Sequence, residues 1–317
     1  MQYLCRKCNF LLLGVNMSKL QGSFTAMITP MKSNGDVDYD GFGRNVSFQL
    51  ESGIDGLLPL GTSGETPTLT EDEEEKIIDI ALPLIKDFNK KTGRDVKVVI
   101  GAGSNCTRDA VRYVDRAANK GADYALVVTP YYNKPSDEGI FRHFEAVSKV
   151  GIPIIVYNIQ GRTGKNISVP LLERIADLPN IAGVKEASGN INQMMEVIEK
   201  VASKHPDFSV LSGDDGLTFP LLAAGGDGVI SVVTNMIPSL MTELVHDCLE
   251  GKFAEARKIH YRLQPFFRAA FCDGNPSCIK YAMNLKGMSA GSLRLPLVEP
   301  KDSAKEQIKA AIATCNL

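Results

Sequence analysis

Short apolar runs rich in β-branched residues alternate along this chain with longer stretches whose apolar positions recur every three to four residues. The first pattern fits strands buried on both faces, and the second fits helices with one buried stripe. The runs predict strands at 23–28, 56–60, 96–100, 122–128, 152–157, 181–184, 208–211 and 228–232. The stretches between them predict helices at 39–51, 70–88, 108–120, 136–149, 169–176, 191–204 and 217–224, with 238–250 after the last strand. Pro83 falls inside the second helix and predicts a kink there. From 252 onward only helical patterns remain, at 252–271, 276–285 and 303–313.

Strand alternating with helix predicts a parallel sheet. Eight repeats within this length predict an α/β fold of the closed (β/α)8 barrel type, a TIM barrel, with a C-terminal helical extension. The expected organisation is a leader at 1–16, the barrel at 17–250 and the extension at 251–317. No Pro/Ser-rich linker precedes the extension, so it is not expected to be an independent domain. No G-x-G-x-x-G follows the first strand, which argues against a dinucleotide fold. Gly225-Gly226-Asp227-Gly228 comes before a strand and reads as a helix stop and turn.

Composition narrows the function classes. The chain has 317 residues, 44% of them hydrophobic, enough for one large core. Its formal charge of -2 shows no basic excess for nucleic acid. The acidic run 71–75 stands where a helix begins and suits that end of the helix dipole. Seven scattered cysteines, an odd number, predict reduced thiols. Cys5 and Cys8 have C-x-x-C spacing but no second pair, so no metal site is expected, and the four histidines form no ligand spacing. The leader's apolar run at 10–15 is too short for a span of about 20 residues, and nothing else approaches that length. A soluble, cytoplasmic protein is the expectation.

Barrel chemistry gathers on the loops after the strands. There the chain places Gly61-Thr62-Ser63-Gly64-Glu65, Tyr131-Tyr132-Asn133, Tyr157-Asn158, Arg162-Thr163-Gly164, Lys185-Glu186, Gly213-Asp214-Asp215 and Ile230-Ser231. Lys185 ends the apolar run 181–184. A desolvated amine there loses its proton more easily and can form a Schiff base with a ketone. Tyrosine hydroxyls can shuttle protons, Thr62 and Ser63 can hold a carboxylate, and Arg162 can grip a second one in bidentate fashion. Each has a plainer reading: a strand-end lysine in an ion pair, packing aromatics, a loop arginine in a surface salt bridge, a glycine turn. Asp214 and Asp215 read as helix caps. What favours the chemical reading is that all share one rim of the barrel.

These motifs resemble the dihydrodipicolinate synthase and N-acetylneuraminate lyase family of pyruvate-dependent class I aldolases. The stretch from Gly56 to Glu65, with Glu73 beyond, is similar to one family signature, and the stretch from Tyr157 to Lys185 to another. Arg162-Thr163-Gly164, Tyr131 to Pro135, Asn275-Pro276 and 293–296 resemble the synthase branch. One departure is Gln160, where the family usually has proline.

The resemblance implies condensation of pyruvate with aspartate 4-semialdehyde on the path to diaminopimelate and lysine, without cofactor or metal. It implies that Lys185 forms the imine, that Tyr157 moves the proton, and that Thr62 relays it toward Tyr132 of a neighbouring subunit. Thr62 and Ser63 would hold the pyruvate carboxylate, Arg162 the aldehyde's carboxylate, and the backbones of Gly213 and Ile230 would orient the imine. A homotetramer built as a dimer of dimers follows. A regulatory lysine site would draw on Glu71, Glu74, Asn105, Asp109 and Tyr131, with inhibition by millimolar lysine; Glu71 and Glu74 stand where regulated bacterial members carry histidine. Two alternatives remain: a sibling aldolase acting on a sugar-acid-derived 2-oxo acid, kept open by Gln160, and a non-catalytic barrel sensing pyruvate or lysine, disfavoured by the intact Lys, Tyr and Thr.

Overall fold

The computed structural model describes residues 19–317; the expected leader, with Cys5 and Cys8, lies outside the described residues. The strands are β1 (Gly22–Ala26), β2 (Gly56–Leu58), β3 (Lys97–Gly101), β4 (Tyr124–Val128), β5 (Ile154–Asn158), β6 (Ile181–Glu186), β7 (Ser209–Ser212) and β8 (Gly228–Ser231). They form a closed barrel in chain order, every pairing parallel, with β8 returning to β1 through Phe24 opposite Ile230.

The helices are α1 (Tyr39–Glu51), α2 (Glu71–Thr92), α3 (Thr107–Lys120), α4 (Asp137–Ser148), α5 (Gln160–Thr163), α6 (Val169–Ala176), α7 (Ile191–Val197), α8 (Thr218–Ala223), α9 (Pro238–Leu249), α10 (Phe253–Ala269), α11 (Ser277–Leu285) and α12 (Asp302–Thr314). Their starts follow local chemistry. Thr70 and Glu73 close a capping box on α2, and the Ser136 and Ser168 side chains accept from the first turns of α4 and α6. The acidic run at the start of α2 complements the helix dipole as expected. α2 continues through Pro83 to Thr92 and stops at Gly93, whose φ of 72° takes the left-handed conformation that ends helices.

Two expectations were off in detail. The short helix α5 was not foreseen, because four residues carry no periodicity. The helix expected at 191–204 is α-helical only to Val197 and then widens into a π-turn over Ile198–Ala202, with Ser203 N–H donating to the Ile198 carbonyl.

Inside the barrel, Phe24, Leu58, Val99, Leu126, Ile155, Ala182, Leu211 and Ile230 pack into one cluster. Alternate strand residues such as Val127, Val156, Val184 and Val210 face outward to the helices. The C-terminal helices have no separate core. Met241 and Val245 of α9, Phe266 of α10, Ile279 and Met283 of α11 and Ile308 of α12 share an apolar cluster with Ile28 and Val229 of the barrel. Burial at about 25 cal/mol per Å² of apolar surface makes that shared cluster the main attachment of the extension. Among the described residues no helix is long and apolar enough to cross a membrane.

Candidate active site

Lys185 stands opposite Tyr157 on β5 and Leu211 on β7. Its neighbour Val184 packs outward. Glu186 also turns outward, accepting from Asn158 Nδ2 at 2.9 Å, Gln193 Nε2 at 3.2 Å and the Ser188 N–H at 2.7 Å. Between them Lys185 turns inward, 5% exposed, with Nζ 4.5 Å from the centre of the Tyr157 ring. Burial lowers its pKa from 10.5 to about 7; the Asp215 carboxylate opposes this and the Arg162 guanidinium adds to it. Gly213 permits the packing. A Cβ there would come within 3.1 Å of both Cγ and Cε of Lys185 and 2.6 Å of the Ala187 methyl.

The Tyr157 hydroxyl is also buried. Burial pushes its pKa up to about 12 against the pull of Arg162 and of a hydrogen bond with the Thr62 side chain. Thr62 begins a single 3₁₀ turn, Thr62–Gly64, after β2. The turn is flanked by Leu60 at φ 59° and Glu65 at φ 55°, left-handed values that non-glycine residues rarely hold. Such conformations persist only where surrounding contacts over-determine them. Here Glu65, fully buried, accepts from Lys280 Nζ at 2.6 Å and from the Arg294 N–H at 3.0 Å. Lys280 Nζ also donates to the Thr29 carbonyl at 3.0 Å, so neither buried charge is left alone. Ser63 pairs with Asn275, whose Nδ2 lies 3.0 Å from Oγ. The Asn275 carbonyl accepts from Arg162 Nη2 at 3.2 Å. The rim therefore gathers a low-pKa amine, a buried phenol, two hydroxyls and a guanidinium. The set suits imine chemistry on a small substrate bearing a carboxylate.

The dihydrodipicolinate synthetase family model matches residues 19–315. The chain belongs to this family. A 4-hydroxy-tetrahydrodipicolinate synthase from Protochlamydia amoebophila is 49% identical over 290 residues, covering 91% of this chain and 94% of that protein. The dihydrodipicolinate synthase structure from Thermotoga maritima superposes with a TM-score of 0.89 at 40% identity, covering 95% of this chain and 99% of its own. The structure of the enzyme from Cyanidioschyzon merolae with lysine bound matches with a TM-score of 0.87 at 36% identity, covering 95% and 99%.

Against the family pattern, Gln160 is less disruptive than its sequence position suggests. It opens α5, and its carbonyl accepts from the Gly164 N–H at 2.8 Å, while the Thr163 hydroxyl donates to the Ile159 carbonyl at 3.0 Å. Backbone and hydroxyl bonds hold the Arg162 loop without proline. Ile230 is buried at the end of the barrel interior. Tyr132 is 90% exposed with φ 69°, projecting from the loop after β4, and Tyr131 beside it is partly exposed.

The carboxylates among the positions expected to form a lysine site already face arginines. Glu71 is bridged by Arg112 at 2.6 Å, which holds its carboxyl below the usual range. Glu74 is bridged by Arg116, yet its burial keeps the carboxyl above that range. Arg112 also lies 3.7 Å from Asp109, and the Asn105 carbonyl accepts from Asn133.

Three residues of the site's surroundings escaped the sequence reading. Of the two aspartates read as caps, Asp214 does accept from Gly216 and Leu217, but Asp215 is buried and accepts from the Val232 N–H at 3.2 Å. Asn275 was seen only as part of a motif. Lys280 was missed, although a lysine on a stripe with Ile279 and Met283 was a readable signal of a buried ion pair.

Proposed function

We propose that this chain performs the 4-hydroxy-tetrahydrodipicolinate synthase reaction, condensing pyruvate with aspartate 4-semialdehyde in diaminopimelate and lysine biosynthesis. The observation that carries the mechanism is Lys185, an amine with a pKa of about 7 packed against the Tyr157 ring. Its lone pair attacks the pyruvate ketone and water leaves, giving an iminium. That cation draws electrons from the adjacent methyl group, a proton departs, and the enamine carbon attacks the aldehyde.

Tyr157, hydrogen-bonded to Thr62, handles these protons. Its high pKa keeps it in the donor form, and Arg162 stabilises the phenolate when it forms. Thr62 and Ser63 receive the pyruvate carboxylate, with the Gly213 and Ile230 backbones orienting the imine. Arg162 takes the carboxylate of the aldehyde.

Tyr132 extends the relay into a neighbouring copy, which accounts for a large aromatic left 90% exposed on a left-handed backbone. We read the assembly as a dimer of dimers of one cytoplasmic chain, with 251–317 as a helical extension of the barrel. We further infer that lysine feedback is weak. The carboxylates at the matching positions are neutralised by Arg112 and Arg116, whose charge repels an incoming cation.

A coupled assay offering pyruvate with aspartate 4-semialdehyde beside sugar-derived aldehydes tests the reading. Aspartate semialdehyde is the expected substrate, and borohydride with pyruvate is expected to label Lys185. Arg162→Ala is expected to raise the KM of the aldehyde roughly tenfold or more, the cost of one charge-assisted pair. A preference for a sugar aldehyde, or a label on another lysine, would overturn the assignment.

A further inference from the structure

We propose that Cys272 and Cys278 are a redox-modifiable thiol pair whose reversible disulfide loosens the substrate site through Asn275. Their sulfurs lie 3.9 Å apart. A disulfide needs about 2 Å, so closing the gap takes a shift of about 2 Å, within reach of side-chain rotation and a small turn adjustment. Among the described residues no other two thiols are in contact.

The two cysteines have different surroundings. Cys278 is fully buried in the first turn of α11, with Sγ accepting from the Asp273 N–H at 3.3 Å. Burial pushes its thiol up to about 12. Burial keeps it from meeting an oxidant first, and its contact with Cys272 Sγ, not its acidity, fits it to resolve an oxidised Cys272. Cys272 is partly exposed in the turn that follows α10 and meets an oxidant first. The turn between them contains Gly274 at φ 93°, with open space where a side chain would be, so the segment has room to rearrange.

The same turn serves the site. Asn275 donates to Ser63 Oγ, and its carbonyl accepts from Arg162. Drawing the sulfurs together changes the spacing of a turn only five residues long between the thiols, and both contacts hang on it. This consequence rests on the reading of Ser63 and Arg162 as carboxylate-binding groups.

The oxidant class is a hydroperoxide. The Cys272 thiolate attacks the peroxide oxygen, the O–O bond breaks, and hydroxide leaves and takes a proton as water, giving a sulfenic acid. Cys278 then attacks that sulfur and loses its proton, and a second water departs as the S–S bond forms. With hydrogen peroxide, two thiols give up two electrons and two protons, and the peroxide is reduced to two waters. A dithiol reverses the change by exchange. A partly exposed bond on a turn is of the labile kind and not the structural kind.

The test uses the full chain, treated with hydrogen peroxide and then alkylated. The tryptic peptide spanning 269–280 contains both cysteines. It is expected to resist alkylation and to weigh two hydrogens less, and dithiothreitol is expected to reverse both. In parallel, kcat/KM for the condensation is expected to fall roughly tenfold on oxidation, the scale of one lost charge-assisted contact, and to recover on reduction. Cys272→Ser and Cys278→Ala are expected to keep ordinary kinetics and to ignore peroxide.

Peptide alkylated at both thiols, or Cys272 oxidised alone, would overturn the pair. A disulfide with unchanged kinetics would overturn the coupling to the site. The carboxylate reading is judged separately, from Arg162→Ala in reduced protein. Oxidation is read by mass without any substrate.

Discussion

The reactivity proposed for Lys185 rests on what surrounds it. Each pKa unit corresponds to about 1.4 kcal/mol, so a fall from 10.5 to about 7 represents on the order of 5 kcal/mol against the charged form. Asp215 works the other way. Its carboxylate, itself raised by burial to about 6, favours the ammonium. Below about pH 7 the amine is protonated and cannot attack, so kcat/KM for pyruvate is expected to rise with pH through that value. Asp215→Asn removes the charge that stabilises the ammonium, lowers the lysine pKa, and is expected to move the acid limb to lower pH. A pH–rate profile reads this directly, and an unmoved limb would refute the coupling. The same profile separates this role from helix capping, which belongs to Asp214 and has no reason to shift it.

Between elements, charge placement decides more than charge count. The acidic start of α2 faces Arg112 and Arg116 of α3, and each pair spans the two helices. An exposed pair such as Glu71–Arg112 adds little stability, but it occupies a carboxylate that a cationic ligand would need. Turnover is therefore expected to change less than twofold up to tens of millimolar lysine, while Arg112→Ala with Arg116→Ala is expected to increase sensitivity. Strong inhibition of the unmodified protein in a lysine titration would show that the arginines yield to the ligand. On the opposite side, α11 holds the loop after β2 through Lys280 and Glu65. Arg294 adds a second anchor by pairing with Glu73 of α2 and donating to the Thr68 carbonyl at 2.8 Å. The extension thus reaches the catalytic rim by side chains that the barrel alone lacks.

For the whole molecule, Tyr132 bears on how many copies make one site. Tyr132 lies on the loop after β4, and a 90% exposed aromatic held on a left-handed backbone is costly without a partner. Tyr132→Phe is expected to lower turnover by roughly tenfold or more, within the usual range for losing a positioned proton-transfer group. Its thermal unfolding is expected to stay unchanged. Sedimentation with activity across dilution checks the same point, since a fully active monomer would exclude a shared site.

Much of this was legible along the chain. Apolar periodicity placed all eight strands to within a few residues and the ends of α1 and α6 without error, because those are local consequences of side-chain alternation and capping. Lys185 was legible for the same reason: a charge ending an apolar run has few places to go. Tertiary structure alone decided the rest. That Asp214 caps while Asp215 is buried beside β8 depends on how β7 and β8 converge. That Asn275 joins Ser63 to Arg162, and that Lys280 meets Glu65, depends on contacts between residues more than a hundred positions apart. Local propensity carries no information about such separations, because those pairs meet only once the barrel has closed and the C-terminal helices have packed against it.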